Sequence, residues 1–134
     1  MQVKRFIDIH VPIFACNLKC SYCYVSHMPQ KKVKPIFEYG PETVKKALTQ
    51  NRLGGVCHFN VCGMGETLIP EELIDYIRVI LENGHTVMIV TNGTLKKRFE
   101  EYMELPDELK KRLGFKFSFH YLEMKRLNMM EIFF

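Results

Sequence analysis

The sequence predicts an α/β protein built on a parallel sheet, and three observations lead to that. Strand-like and helix-like stretches alternate about four times along the 134 residues, the pattern that gives a parallel sheet with right-handed crossovers. The run Val87-Met88-Ile89-Val90 is apolar without alternation, as in a parallel strand buried on both faces. Polar and glycine-containing segments follow the strands, at the edge where α/β barrels and open α/β sheets carry their active sites. No repeat, low-complexity segment or interdomain linker interrupts residues 1–134, which read as a single domain.

Taken in order, residues 6–14 (FIDIHVPIF) partly alternate and are rich in Ile, Val and Phe, predicting a strand that ends near Pro12. A cysteine-bearing loop, 14–25, follows. Residues 26–40 hold Pro29, Pro35, Gly40 and several lysines and predict irregular structure. Pro41-Glu42-Thr43 opens a helix of about twelve residues, with Val44, Ala47 and Leu48 as its buried stripe and an end between Asn51 and Gly55.

A second strand, 56–62 (VCHFNVC), stops at Gly63-Met64-Gly65-Glu66. Pro70-Glu71-Glu72 starts the next helix, which places Leu73, Ile74, Ile77, Ile80 and Leu81 at helical spacing and closes at Asn83-Gly84. Residues 85–91 (HTVMIVT) predict a third strand. Asn92-Gly93 turns the chain, and Thr94 can cap a charged helix through about Glu104. Pro106 begins a short helical piece ended by Gly114. Residues 115–120 (FKFSFH) predict a fourth strand, with Lys116, Ser118 and His120 on one face and Phe115, Phe117 and Phe119 on the other. A last helix is expected from near Leu122.

Composition sets the class. Hydrophobic content of 47% and charged content of 25% describe an ordinary globular domain with a real core. The net charge of +4 is carried largely by Lys31, Lys32 and Lys34 and by Lys96, Lys97 and Arg98; these read as solvated surface charge, so nucleic acid is not the expected partner. Met1 to Arg5 carries charge without a following long apolar region, so no secretory signal is expected. No window approaches the 18 apolar residues of a membrane span, and the expected location is cytoplasmic. In a reducing compartment, five cysteines favour free thiols or metal ligands over disulfides.

Three of those cysteines, Cys16, Cys20 and Cys23, fall within eight residues as C-x3-C-x2-C. Three thiolates on one short loop suit one compact metal centre. Iron–sulfur cubanes usually take four cysteines; a cluster held by three keeps an iron open to an outside ligand, by the logic that separates catalytic from structural zinc. His27 leaves a Cys3His zinc site as the alternative, although the spacing matches no usual zinc pattern. Three cysteines without metal is the remaining one. Cys57 and Cys62 lie in the second strand and read as buried apolar residues. His10 and His58 read as structural. Thr91 and Asn92 also fit a plain helix-capping turn.

The motif C-x3-C-x-aromatic-C after a first strand, here Cys16, Cys20, Tyr22 and Cys23, resembles that of the radical S-adenosylmethionine (SAM) superfamily. Gly63-Met64-Gly65-Glu66-Thr67-Leu68 is similar to the family's Gly-x-Gly-Glu-Pro segment after strand two, and Thr91-Asn92-Gly93-Thr94 to its T-N-G turn after strand three. The resemblance implies the amino-terminal part of a partial (β/α)6 TIM-like barrel. It implies a [4Fe-4S] cluster on Cys16, Cys20 and Cys23 whose free iron binds the amino and carboxylate groups of SAM. Gly63 and Gly65 would let the backbone approach that ligand, Glu66 would orient its ammonium, and Tyr22 would lie against the adenine. Thr91, Asn92 and Ser118 complete the implied SAM contacts. The implied chemistry is one-electron reduction, homolysis of a carbon–sulfur bond of SAM and hydrogen abstraction by a 5′-deoxyadenosyl radical. The implied partners are an electron donor such as flavodoxin or ferredoxin and a small-molecule or peptide substrate, with no membrane.

Two departures qualify the match. Thr67 stands where the family has proline, so a looser turn is expected. A six-unit partial barrel needs roughly 200 residues or more by scaling from the eight-unit barrel, whereas this chain holds about four units. A truncated gene product, a fragment or half of an assembly is therefore expected, with an open edge at the fourth strand. A non-catalytic iron–sulfur or zinc-binding module, or an inactive truncated relative, is the competing expectation.

Overall fold

Four strands stand side by side in chain order, all parallel. The computed structural model describes residues 3–11, 37–63 and 66–118. β1 (Arg5–Val11), β2 (Cys57–Gly63), β3 (Thr86–Thr91) and β4 (Leu113–Phe117) form a sheet of order β1-β2-β3-β4. The order never reverses, unlike that of a doubly wound sheet, so the winding is that of a barrel. Among the described residues the sheet is not closed.

Register fixes which residues share a face. Ile7, Ile9 and Val11 lie beside Phe59, Val61 and Gly63; Phe59 and Val61 lie beside Val87 and Ile89; and these lie beside Leu113 and Phe115. That face is the core: Phe59, Val61 and Ile89 are fully buried, and Val87 nearly so. The opposite face carries Asp8, Asn60, Met88 and Gly114 on one rung. His10 and Cys62 pair on the next rung, as do Val90 and Lys116. Thr86, Met88 and Val90 are only half-buried, so β3 is not buried on both faces as its unbroken apolar run predicts.

Two short helices replace the single helix expected from Pro41. α1 (Pro41–Ala47) ends at Leu48, and α2 (Gln50–Leu53) begins after Thr49, whose extended backbone breaks the helix and whose hydroxyl accepts the amide of Arg52. Val44 and Leu48 are half-buried, but Ala47 is exposed, so the stripe is narrower than expected. The carbonyls that α1 leaves open are closed from another part of the chain. Asn83 Nδ2 donates to Lys45 O at 2.9 Å and to Leu48 O at 3.2 Å, and His85 Nε2 donates to Leu48 O at 2.6 Å.

α3 (Leu73–Glu82) buries Leu73, Ile77, Val79, Ile80 and Leu81. Each such side chain contributes roughly 1.5–3 kcal/mol, which makes α3 the main cover of the sheet. Gly84 follows at φ +89°, the left-handed turn that Asn83-Gly84 predicts. α4 (Lys96–Met103) starts after Leu95 without a side-chain cap; Thr94, expected in that role, instead donates its hydroxyl to Asn92 Oδ1 at 2.6 Å. Lys96 and Lys97 are exposed, while Arg98 is held 3.1 Å from both Glu71 and Glu101. Lys31, Lys32 and Lys34 lie outside the described residues. α5 (Asp107–Lys110) leads into β4 at Leu113, so Gly114 is a strand residue and not a helix stop. A side chain there would press on Met88, whose Cε lies 3.3 Å from the place its Cβ would take.

Tyr102 on α4 is 2% exposed and meets Phe115 edge-on at 5.7 Å between ring centres. Burial, reinforced by Glu101, pushes its hydroxyl well above the ordinary value of 10.0. The folded state therefore favours the neutral phenol. This contribution is intact below the unfolded value and is lost as pH rises past it. Urea titrations are expected to give constant stability from this group between neutrality and about pH 10, then a decline of at most about 1.4 kcal/mol per pH unit. Tyr102→Phe should remove that part of the alkaline slope.

Candidate active site

The carboxyl ends of the strands are level. Val11 pairs with Gly63, Thr91 pairs with Phe117, and Gly63 and Thr91 each lie two residues past the Val61–Ile89 pair. The cysteine segment therefore leaves β1 at the same height as the turn after β2 and the turn after β3. Cys16, Cys20, Tyr22, Cys23 and His27 lie outside the described residues, as do Met64, Gly65, Phe119, His120 and the helix expected from Leu122.

Glu66 is the centre of the described part of this edge. It is 3% exposed. Its Oε1 accepts the amide of Leu68 at 3.1 Å and the hydroxyl of Thr91, and its Oε2 accepts the amide of Asn92 at 2.8 Å. All three partners are donors, which suits an ionised carboxylate. Thr91 Oγ1 accepts in turn from the amide of Gly93 at 3.2 Å. Its carbonyl accepts the amide of Ser118 at 2.8 Å, so the ends of β2, β3 and β4 are tied in one network. Asn92, 5% exposed, turns Oδ1 to the amide of Thr94 at 3.1 Å. The Thr91–Asn92 turn is thus more than a helix cap: it is the seat of a buried carboxylate from the neighbouring loop.

Thr67 changes the reading of the proline position. Its hydroxyl accepts the amide of Gly63 at 3.1 Å, and the residue is 2% exposed. A proline has no hydroxyl and could not make this bond. The turn is closed by a side-chain bond where the family has a rigid ring, so its ends are not loose. The clue in the sequence was the Thr itself, four residues after a glycine whose amide has to find a partner.

Cys57 is fully buried, with Sγ 3.6 Å from Gly55 O, while Cys62 is half-buried. His58 bonds Thr86 Oγ1 at 2.7 Å and meets Phe6 edge-on, in keeping with a structural part. His10 is exposed on the face opposite the core, beside Cys62, which a structural histidine would not need to be. Among the described residues no group of three or more His, Cys, Asp or Glu could hold a metal ion. A cavity of about 370 Å³ beside β1 is lined mostly by apolar side chains, among them Ile9, Val11, Phe37 and Ile77, with His10 and Glu38 also on its wall.

The model of the radical SAM superfamily matches residues 11–118. The chain belongs to that superfamily. The matched span starts at the last residue of β1 and ends at Ser118, just after β4. The fold is also similar to the crystal structure of BtrN in complex with AdoMet and 2-DOIA, with a TM-score of 0.54 at 15% identity. That likeness covers 86% of this chain and 56% of BtrN, so the chain spans a little over half the length of that relative. No curated protein matches the sequence. Among the described residues, no helix is long and apolar enough to cross a membrane.

Proposed function

We propose that this chain is a radical SAM enzyme, or the amino-terminal part of one, that holds a [4Fe-4S] cluster on Cys16, Cys20 and Cys23 and binds SAM along the carboxyl edge of its sheet. One observation carries the reading. The strand that runs into the cysteine segment ends level with Gly63, and Glu66, Thr91, Asn92 and the Ser118 amide are gathered along that same edge. The donor set fits: three soft thiolates suit an iron–sulfur cluster, and three leave one iron for an outside ligand. When bound, cluster and SAM together supply reductive cleavage of a carbon–sulfur bond and a radical that abstracts hydrogen from a substrate.

The chain's own residues supply position. Gly63, without a side chain, lets the backbone come close to a ligand, and Thr67 fixes its amide. Gly65 and Tyr22 extend the proposed contacts toward the amino acid and adenine ends of SAM. Ser118 is half-buried at the end of β4. The proposed setting is cytoplasmic, with a flavodoxin or ferredoxin as electron donor and a small molecule or peptide as substrate.

Anaerobic reconstitution with iron and sulfide tests this. The expected product is a brown protein with about four irons per chain that releases 5′-deoxyadenosine from SAM when dithionite is added. A colourless protein loaded with zinc would sink the cluster. A cluster that forms but never cleaves SAM would leave a binding module in place of an enzyme.

A further inference from the structure

Among the described residues, three donors reach Glu66: the amides of Leu68 and Asn92 and the hydroxyl of Thr91. Three bonds occupy most of the roughly four lone-pair positions a carboxylate offers. Two of the donors come from the turn after β3, and the third, Leu68, from just beyond the turn after β2. With 3% exposure, the group is spent on joining two loops. We propose that Glu66 is a positioning residue: it clamps the turn after β2 to the turn after β3, and so sets the backbone that meets SAM, instead of meeting the ligand's ammonium itself. This rests on the SAM-binding reading above, but the clamp is made of the chain's own groups and can be tested without ligand.

The geometry makes Glu66→Gln a sharp probe. An amide keeps the shape but offers one acceptor in place of two. If its NH2 lies where Oε2 was, the Asn92 amide faces a donor; if it lies where Oε1 was, the Leu68 amide does. Either way one buried N–H loses its acceptor. Thr91→Val removes the third bond at nearly constant volume, and Thr91→Ser keeps it.

Hydrogen exchange on the full chain without cluster or SAM is the first measurement. Glu66→Gln is expected to raise the exchange rate of the Leu68 or Asn92 amide about tenfold or more. Thr91→Val should do so to a smaller degree, and Thr91→Ser should leave it unchanged. Unchanged protection of both amides in Glu66→Gln would overturn the clamp, whatever SAM does. SAM titration of the reconstituted protein is the second. Thr91→Val should weaken SAM binding through the lost clamp bond while Thr91→Ser binds as the parent does, and the double variant should bind no worse than Glu66→Gln alone, since one clamp cannot be broken twice. If Glu66 met the ammonium directly, Thr91→Val would leave affinity intact. Should Glu66→Gln not fold, Thr91→Val against Thr91→Ser still decides: equal protection and equal affinity in the two would overturn the proposal. A wild-type chain that binds no SAM would fail the functional reading alone and leave the exchange result standing.

Discussion

Cys20→Ser is expected to abolish cluster assembly and leave the sheet folded. Cys20 is the middle thiolate of the proposed ligand set, and serine is a hard oxygen donor that stays protonated near neutral pH, so the substituted loop retains two soft ligands where the open-site cluster needs three. Iron retained after desalting should drop to background, and 5′-deoxyadenosine production with it. The fold should not follow, because the described core, from Val11 through Phe59, Val61, Ile77, Ile89 and Tyr102 to Leu105, is built by the sheet and its helices. Circular dichroism and urea midpoint are therefore expected to match the parent chain. Cys57→Ala is the useful opposite: its thiol is fully buried under the helices, so it should lower stability by about 1 kcal/mol and leave iron uptake alone. His27→Ala separates the metals. A Cys3His zinc site would lose its ion on that change, whereas a three-cysteine cluster would keep its iron. Full iron retention in Cys20→Ser would refute the ligand assignment.

The parts of this architecture that obey a local period were legible in the sequence. Alternation in Arg5–Val11 and Cys57–Gly63 and the 3.6-residue spacing of Leu73, Ile77 and Ile80 placed strands and helix within a few residues. Their succession implied the parallel order. What the sequence hid depends on groups far away along the chain. Nothing between Pro41 and Leu53 says that Asn83 and His85 will close the end of α1, so one long helix was the natural expectation. Gly114 reads as a helix stop because an isolated glycine after a charged helix usually is one; only the register shows Met88 standing opposite it. Thr94 has the chemistry of a cap, yet Asn92 two residues back offers its hydroxyl a nearer acceptor. At the site, the motif residues were visible as residue types, but the partners of Glu66 were not. A carboxylate before a helix is equally suited to a ligand's ammonium, to solvent or to a neighbouring turn, and only the level strand ends bring Thr91 and Asn92 against it.

His85→Ala is expected to be among the costliest single changes in the fold, although no part of the proposed chemistry touches His85. The side chain is fully buried. Its Nδ1 accepts the amide of Cys57 at 3.0 Å, and its Nε2 donates to Leu48 O at 2.6 Å. A backbone amide can only donate and a carbonyl can only accept, so these contacts fix the neutral ring with its proton on Nε2. The ring thus satisfies the first amide of β2 and an open carbonyl at the end of α1, while its centre lies 5.1 Å from that of the tilted Phe59 ring. Alanine would orphan the Cys57 amide and leave a hole beside Phe59. An unsatisfied buried donor costs about 1–3 kcal/mol, and the cavity adds about 2 kcal/mol or more. The sum is a large share of the roughly 5–15 kcal/mol that holds a domain together. His85→Phe divides the two: it fills the space and should recover the cavity part alone. His85→Gln, which can accept with one terminal atom and donate with the other, should recover part of the bonding. Urea unfolding of the three variants would show Ala below Phe and Gln. If His85→Ala unfolded within about 0.5 kcal/mol of the parent, the ring would be a bystander and the attachment of α1 to the sheet would have to come from Asn83 instead.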